Sequence, residues 1–115
     1  IQENKSDLYL SIHINYHYHS SVSGAEVLYH PINPNNLVLA KSIMEEFKND
    51  LNTDREVIKT NLYLYSNTRV PGVLIECGFI SNPNERYLLQ KEGYQEKLAN
   101  AIGKGVENYF EEIEE

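Results

Sequence analysis

The sequence has one cysteine, Cys77, and no tryptophan. A single cysteine excludes an internal disulfide framework and a zinc site built from several thiolates. Positive charge is scarce as well. Ten Lys and Arg stand against seventeen Asp and Glu, a net charge of -7. Nucleic-acid binding rests on cations clustered at phosphates, so this balance argues against it. It equally disfavours purely electrostatic adhesion to an anionic surface. No apolar run is long enough to span a bilayer, and no signal-peptide pattern opens the chain. The first residue is Ile1 rather than Met, which reads as a processed product or a piece of a longer protein, so no compartment follows from the missing signal. What is present is 115 residues with 41% hydrophobic content, enough for one compact domain and too few for two. The nine tyrosines suggest polar-tipped aromatic surface.

The pattern along the chain is that of an α/β fold. In "DLYLSIHIN", Leu8, Leu10, Ile12 and Ile14 alternate with Tyr9, Ser11 and His13. Both rows are largely apolar until the end, which predicts a strand covered on both sides. "YHYHSSVSG" reads as a polar loop and "AEVLYH", Ala25 to His30, as a strand ending at Pro31. Leu37, Ala40, Ile43, Met44, Phe47 and Leu51 follow helical spacing, with Asn35 or Asn36 as the cap. "NLYLYS" and "GVLIEC" read as strands, the second leaving through Gly78. "SNPNE" is a helix start. Asn82 caps, Pro83 takes the first helical position, and Glu85 completes a capping box, with the helix stopping near Gly93. A last helix places Tyr94, Leu98, Ala101, Ile102, Val106, Phe110 and Ile113 on one face. Its "EEIEE" end puts acids against the helix dipole and predicts fraying.

Two polar residues stand out at strand ends. His13 closes the first strand and Glu76 lies near the close of "GVLIEC". Ligands in open α/β sheets bind beyond the carboxyl ends of the strands, so the two are placed to converge on one site. Imidazole is a good zinc ligand, and a carboxylate serves as ligand or general base. The plainer readings are a hydrogen-bonded structural His and a Glu neutralised by a cation such as Arg69, since an unpaired buried charge is unfavourable. Period two turns Ile75 and Cys77 to the opposite face, which weakens Cys77 as a candidate. His17 and His19 have the i, i+2 spacing of a chelate on an extended segment, or are solvated loop residues. His30 reads as structural or exposed. Tyr9, Tyr63, Tyr65, Tyr87 and Tyr109 read as half-buried packing.

Taken in order, "DLYLSIHIN", "SGAEVLYH", a helix, "LYLYSNTRVPGVLIECGFISNPNE" and "YQEKLANAIGKGVENYF" resemble the zinc-dependent N-acetylmuramoyl-L-alanine amidases. "SIHIN" and "VLIECGFISN" are the most specific pieces. The resemblance implies a mixed, mostly parallel sheet flanked by helices, incomplete here at its N-terminal side. It implies that His13 is a ligand of a Zn2+ cofactor and that Glu76 is the catalytic carboxylate. The implied reaction is hydrolysis of the amide between N-acetylmuramic acid and the first L-alanine of the stem peptide in peptidoglycan. The family's other zinc ligands, a histidine in a "GHGG"-like motif and a glutamate, lie upstream of the "SIH-N" strand, and only Ile1 to Ser6 precede that strand here. Residues 1–115 are therefore expected to form the C-terminal portion of one catalytic domain, inactive alone, with a site that lacks ligands. Ser66 stands where the related stretch carries Arg, and "YHYHS" replaces a simpler loop. Peptidoglycan is the expected partner, with no nucleic acid and no membrane span. Self-association through an exposed sheet edge is a further expectation, and the expected location is the cell wall or the outside of a bacterium, or a phage or spore lytic system. The competing reading is a truncated muropeptide-binding or structural module without catalysis.

Overall fold

The computed structural model describes residues 8–51, 53–61 and 69–114. Its elements run β1 (Tyr9–Asn15), β2 (Glu26–Tyr29), α1 (Pro34–Leu51), β3 (Ile58–Lys59), β4 (Gly72–Phe79), α2 (Pro83–Leu89) and α3 (Glu92–Ile113). The strands form one sheet in the order β1-β4-β2-β3. β1 and β4 are parallel, β2 and β3 are parallel, and β2 and β4 are antiparallel, giving the mixed, mostly parallel α/β sheet expected. The strand read at "NLYLYS" falls almost wholly outside the described residues, as does Ser66.

Alternation along β4 divides the sheet into two chemically different faces. Val73, Ile75 and Cys77 join Val27 of β2 in a core with Leu39, Ala40, Ile43 and Phe47 of α1 and Leu98, Ala101, Ile102 and Tyr109 of α3. α1 and α3 pack together where α3 offers no side chain. A Cβ on Gly105 would lie 2.6 Å from the Ile43 Cα, and the Ser42 hydroxyl donates to the Gly105 carbonyl at 2.6 Å. The opposite face carries Leu74 and Glu76 of β4 with their register partners Ser11 and His13 of β1 and Glu26 and Leu28 of β2.

Several expectations change in detail. β1 is not covered on both sides. It lies at the end of the sheet, and Ile12 and Ile14 are 56% and 53% exposed. The helix layer centres on β4 and β2, so the outer part of β1 overhangs it. α1 starts earlier than its apolar spacing suggests. Asn33 accepts from the Asn35 N–H, and Pro34 takes the first helical position, where a missing N–H loses nothing. Asn36 is freed from capping and fully buried. Its amide donates to the His30 carbonyl and accepts from the Gly72 N–H at 2.8 Å, tying α1 to the exit of β2 and the start of β4.

Asn82 does cap α2, accepting from the Glu85 N–H at 3.1 Å. The reciprocal half of the capping box is replaced by something larger. The Glu85 carboxylate accepts from the Phe79 N–H at 2.7 Å and the Gly24 N–H at 2.8 Å, clasping two loops. Gly24 has φ +109 and Gly78 has φ +151, a backbone region that side chains rarely adopt. α2 ends at Leu89 and Gly93 lies inside α3 rather than between the helices. The inward stripe of α3 includes Gly105 and the fully buried Tyr109, while Ile113 is largely exposed. The helix continues through Ile113 despite its acidic end.

Candidate active site

Glu76 lies on β4, between β1 and β2, and its Cα partners are His13 on one side and Glu26 on the other. Register partners in a sheet project to the same face, so imidazole and two carboxylates form a row across three strands. Neighbouring strands lie about 4.8 Å apart, so the row spans about 10 Å. The parallel pairing of β1 with β4 arises from their apolar stretches: Leu10 faces Val73 and Ile12 faces Ile75 one residue out of phase with the polar row. A one-residue slip would carry His13 to the helix side. Beyond His13 the register shifts, and Asn15 pairs with Phe79.

His13 is exposed, and its Nε2 lies 2.9 Å from the Ser11 hydroxyl on the same face, a contact that orients the ring. Glu76 is half-buried, and its Oε1 is buried with no hydrogen-bond partner. Burial raises the Glu76 pKa above the ordinary 4.5; the nearby His13 opposes that shift and Glu26 adds to it. Glu26 is 5% exposed, and burial raises its pKa too, against the pull of Arg55. Arg55 Nη1 lies 3.2 Å from Glu26 Oε1, its Nε–H donates to the Ser23 carbonyl, and its guanidinium stacks over the Phe79 ring at 5.1 Å.

Glu26 is the residue that sequence reading passed over. It sits in a β-prone apolar stretch, the same signal that marked Glu76, but only the antiparallel pairing of β2 with β4 puts it beside the site. Among the described residues, Arg55 is the cation paired with Glu26 in the row. Cys77 lies on the helix face, and burial, with Glu76 adding, pushes its thiol up to about 11, which leaves it protonated and unreactive at neutral pH. A groove of about 550 Å³ lies beside it, lined by Ile12, Ile14, Leu89 and Leu98.

His17 and His19 sit in the loop after β1, and their rings stack at 5.4 Å rather than converging on a point. His17 Nδ1 already accepts the His19 N–H at 3.0 Å. His30 is structural: its Nδ1 accepts the Ile32 N–H and its carbonyl accepts from Asn36. Imidazole beside a carboxylate with an orphaned buried oxygen fits one edge of a divalent-metal site. Among the described residues, no three His, Cys, Asp or Glu side chains cluster closely enough to hold a metal by themselves.

Residues 1–108 match the family model described as N-acetylmuramoyl-L-alanine amidase. The chain belongs to this amidase family. A germination-specific N-acetylmuramoyl-L-alanine amidase of Bacillus subtilis (strain 168) is 41% identical over 114 residues, covering 97% of this chain and 48% of that protein. The CwlD amidase from Clostridioides difficile, solved in complex with the GerS lipoprotein, is 38% identical with a TM-score of 0.89, covering 95% of this chain and 57% of that one. The catalytic domain of the CwlV amidase from Bacillus (Paenibacillus) polymyxa var. colistinus is 28% identical with a TM-score of 0.83, covering 92% of this chain and 59% of that one. The amidase fold thus extends over nearly all of this chain, while the chain spans about half the length of these relatives. No helix among the described residues is long and apolar enough to cross a membrane.

Proposed function

We propose that this chain is the portion of a peptidoglycan amidase that carries the catalytic carboxylate. The reaction is hydrolysis of the amide between N-acetylmuramic acid and the L-alanine of the stem peptide. The observation that carries the reading is the His13–Glu76 register pair, with a buried Glu76 oxygen left without a partner, in a chain of the amidase family. The site of action is the peptidoglycan layer, outside the cytoplasm.

His13 is the residue of this pair that would hold zinc, and Glu76 stands beside it. A zinc ion held there would supply Lewis-acid activation of water and of the amide carbonyl. The Glu76 carboxylate takes the proton of the attacking water and delivers it to the alanine nitrogen as the C–N bond breaks. A carboxylate raised by burial holds that proton long enough to pass it on. Glu26, buried beside Glu76, adds to the proton affinity of Glu76, and Arg55 opposes the upward shift that burial gives Glu26. A catalytic zinc site uses three protein ligands and a water. His13 supplies one, and Glu76 is kept off the metal by its role as base. The chain alone is therefore expected to bind zinc weakly and to show no turnover.

The test is zinc titration of the purified chain by calorimetry, followed by digestion of peptidoglycan at saturating metal. Weak binding without L-alanine-led peptide release is expected. Supplying the N-terminal half of the relative's catalytic domain should restore release with wild type and not with Glu76→Gln. Equal release by both forms would remove Glu76 from the mechanism.

A further inference from the structure

The loop after β1 carries the sequence Tyr16-His17-Tyr18-His19, which neither the core nor the proton-transfer row uses. Its rings are grouped. His17 and Tyr18 stack at 4.7 Å with planes 18° apart, Tyr18 and His19 lie at 4.3 Å, and His17 meets the buried Phe79 edge-on at 6.4 Å. Tyr16 and Tyr18 are nonetheless 69% and 80% exposed. Large aromatic surface held in water is unfavourable, so its retention points to a partner.

The loop is also fixed. The His17 N–H donates to the Ser81 hydroxyl at 2.9 Å, the Asn82 amide donates to the Ser20 carbonyl at 3.0 Å, and the Ile80 N–H donates to the Asn15 carbonyl at 2.8 Å. Asn15 Oδ1 accepts the Tyr16 N–H. These bonds join the segment leaving β1 to the segment leaving β4, the two strands that carry His13 and Glu76. His17 lies four positions after His13, at most about 14 Å of chain. Because His17 Nδ1 is an acceptor for the His19 N–H, the neutral ring carries its proton on Nε2 and offers a donor there.

We propose that this loop is a glycan subsite: the Tyr18 ring, braced by His17 and His19, stacks on a pyranose ring of the glycan strand next to the scissile amide. The proposal rests on the amidase reading and deepens it. An amide-linked N-acetylmuramic acid has no free carboxylate on its lactyl group, so the sugar beside the bond is neutral. Its ring shows C–H groups on its faces and hydroxyl and acetamido groups at its edges. An exposed tyrosine matches the first with its face and the second with its hydroxyl, and a rigid ring has little rotamer freedom to lose on binding. The net charge of -7 and the carboxylates of the row give an ionised stem peptide no comparable match.

The test is a titration of the isotope-labelled chain with chitotetraose, the neutral β-1,4-linked tetrasaccharide of N-acetylglucosamine, followed by amide NMR shifts. A dipeptide, L-alanyl-D-isoglutamine, serves as the other probe. Shifts should concentrate on residues 15–20 and 79–82 with the tetrasaccharide. Tyr18→Ala should weaken binding by roughly tenfold, and Tyr18→Phe should keep most of it, since the stacking face survives. Tyr87→Ala, at an exposed tyrosine on α2, should leave binding unchanged. The proposal is overturned if the loop shifts with the dipeptide alone, if no form shows loop shifts with glycan, or if Tyr18→Ala binds as wild type does. Glycan binding by the loop together with a failure of the complemented enzyme to cleave would uphold the subsite and count against the amidase reading. Cleavage without loop shifts would do the reverse.

Discussion

Replacing Arg55 by Met tests whether the acidic row is held by one cation. The change keeps the length of the stem and removes the charge. In the native chain Arg55 Nη1 lies 3.2 Å from Glu26 Oε1, with the arginine side chain 30% and the glutamate side chain 7% exposed. Removing one partner of a fully buried ion pair costs about 3–5 kcal/mol. Arg55 is partly solvated, so water screens the pair, and the expected loss is about 1–3 kcal/mol at neutral pH. The lost hydrogen bond to Ser23 and the lost stacking on Phe79 add to this a part that is independent of Glu26. The charge-dependent part has a definite pH signature. Glu26 already titrates above 4.5 because it is buried, and Arg55 is the group that opposes that shift. Without Arg55 the folded-state value rises further. A carboxyl raised on folding contributes stability that is present below its unfolded pKa and is lost as pH rises through its folded pKa. The variant should therefore lose most against wild type at neutral pH and recover towards wild type as pH falls to about the unfolded value. Urea denaturation at pH 7.5 and pH 5 gives the two differences, read as midpoint shifts at constant m. In a Glu26→Gln background the Arg55→Met change should retain only the pH-independent part, and the double-mutant cycle isolates the pair. An Arg55→Met penalty of the same size at both pH values and in both backgrounds would refute the idea that Arg55 acts through the Glu26 charge.

Three further outcomes are expected. Glu76→Gln, in a complemented catalytic domain, should lower muramyl-peptide release by about 10²–10⁴-fold while elemental analysis finds zinc content close to wild type. Gly105→Ala should destabilise the chain by about 1–3 kcal/mol, because its Cβ would sit 2.6 Å from the Ile43 backbone and force α1 and α3 apart; an unchanged melting temperature would contradict that packing. Cys77, held at about 11 and buried, should react with a thiol reagent at pH 8 far more slowly in the native chain than in urea, and Cys77→Ala should leave glycan binding intact; fast native labelling would show the thiol to be accessible.

The sequence alone determined the elements whose signal is local. The 3.6-residue spacing of α1 and α3, the Asn82-Pro83 start of α2, and the two apolar strands each depend on neighbours within a few positions. The period-two rule separated Glu76 from Cys77 correctly, because face alternation is a property of a single strand. The strand ends also marked His13 and Glu76 as a pair, and the structure makes them register partners. Other features needed long-range pairing. Glu26 becomes part of the row only because β2 runs antiparallel to β4, and Arg55 meets it across a sequence separation that no motif records. Glu85, a capping residue by its spacing, gives its side chain to Gly24 and Phe79 because those N–H groups lie within reach only after folding. The exposure of Ile12 and Ile14 follows from β1 standing at the end of the sheet, and an alternating pattern cannot say which strand that will be. Local chemistry is written in the order of residues; the field that each carboxylate experiences is set by which strands become neighbours.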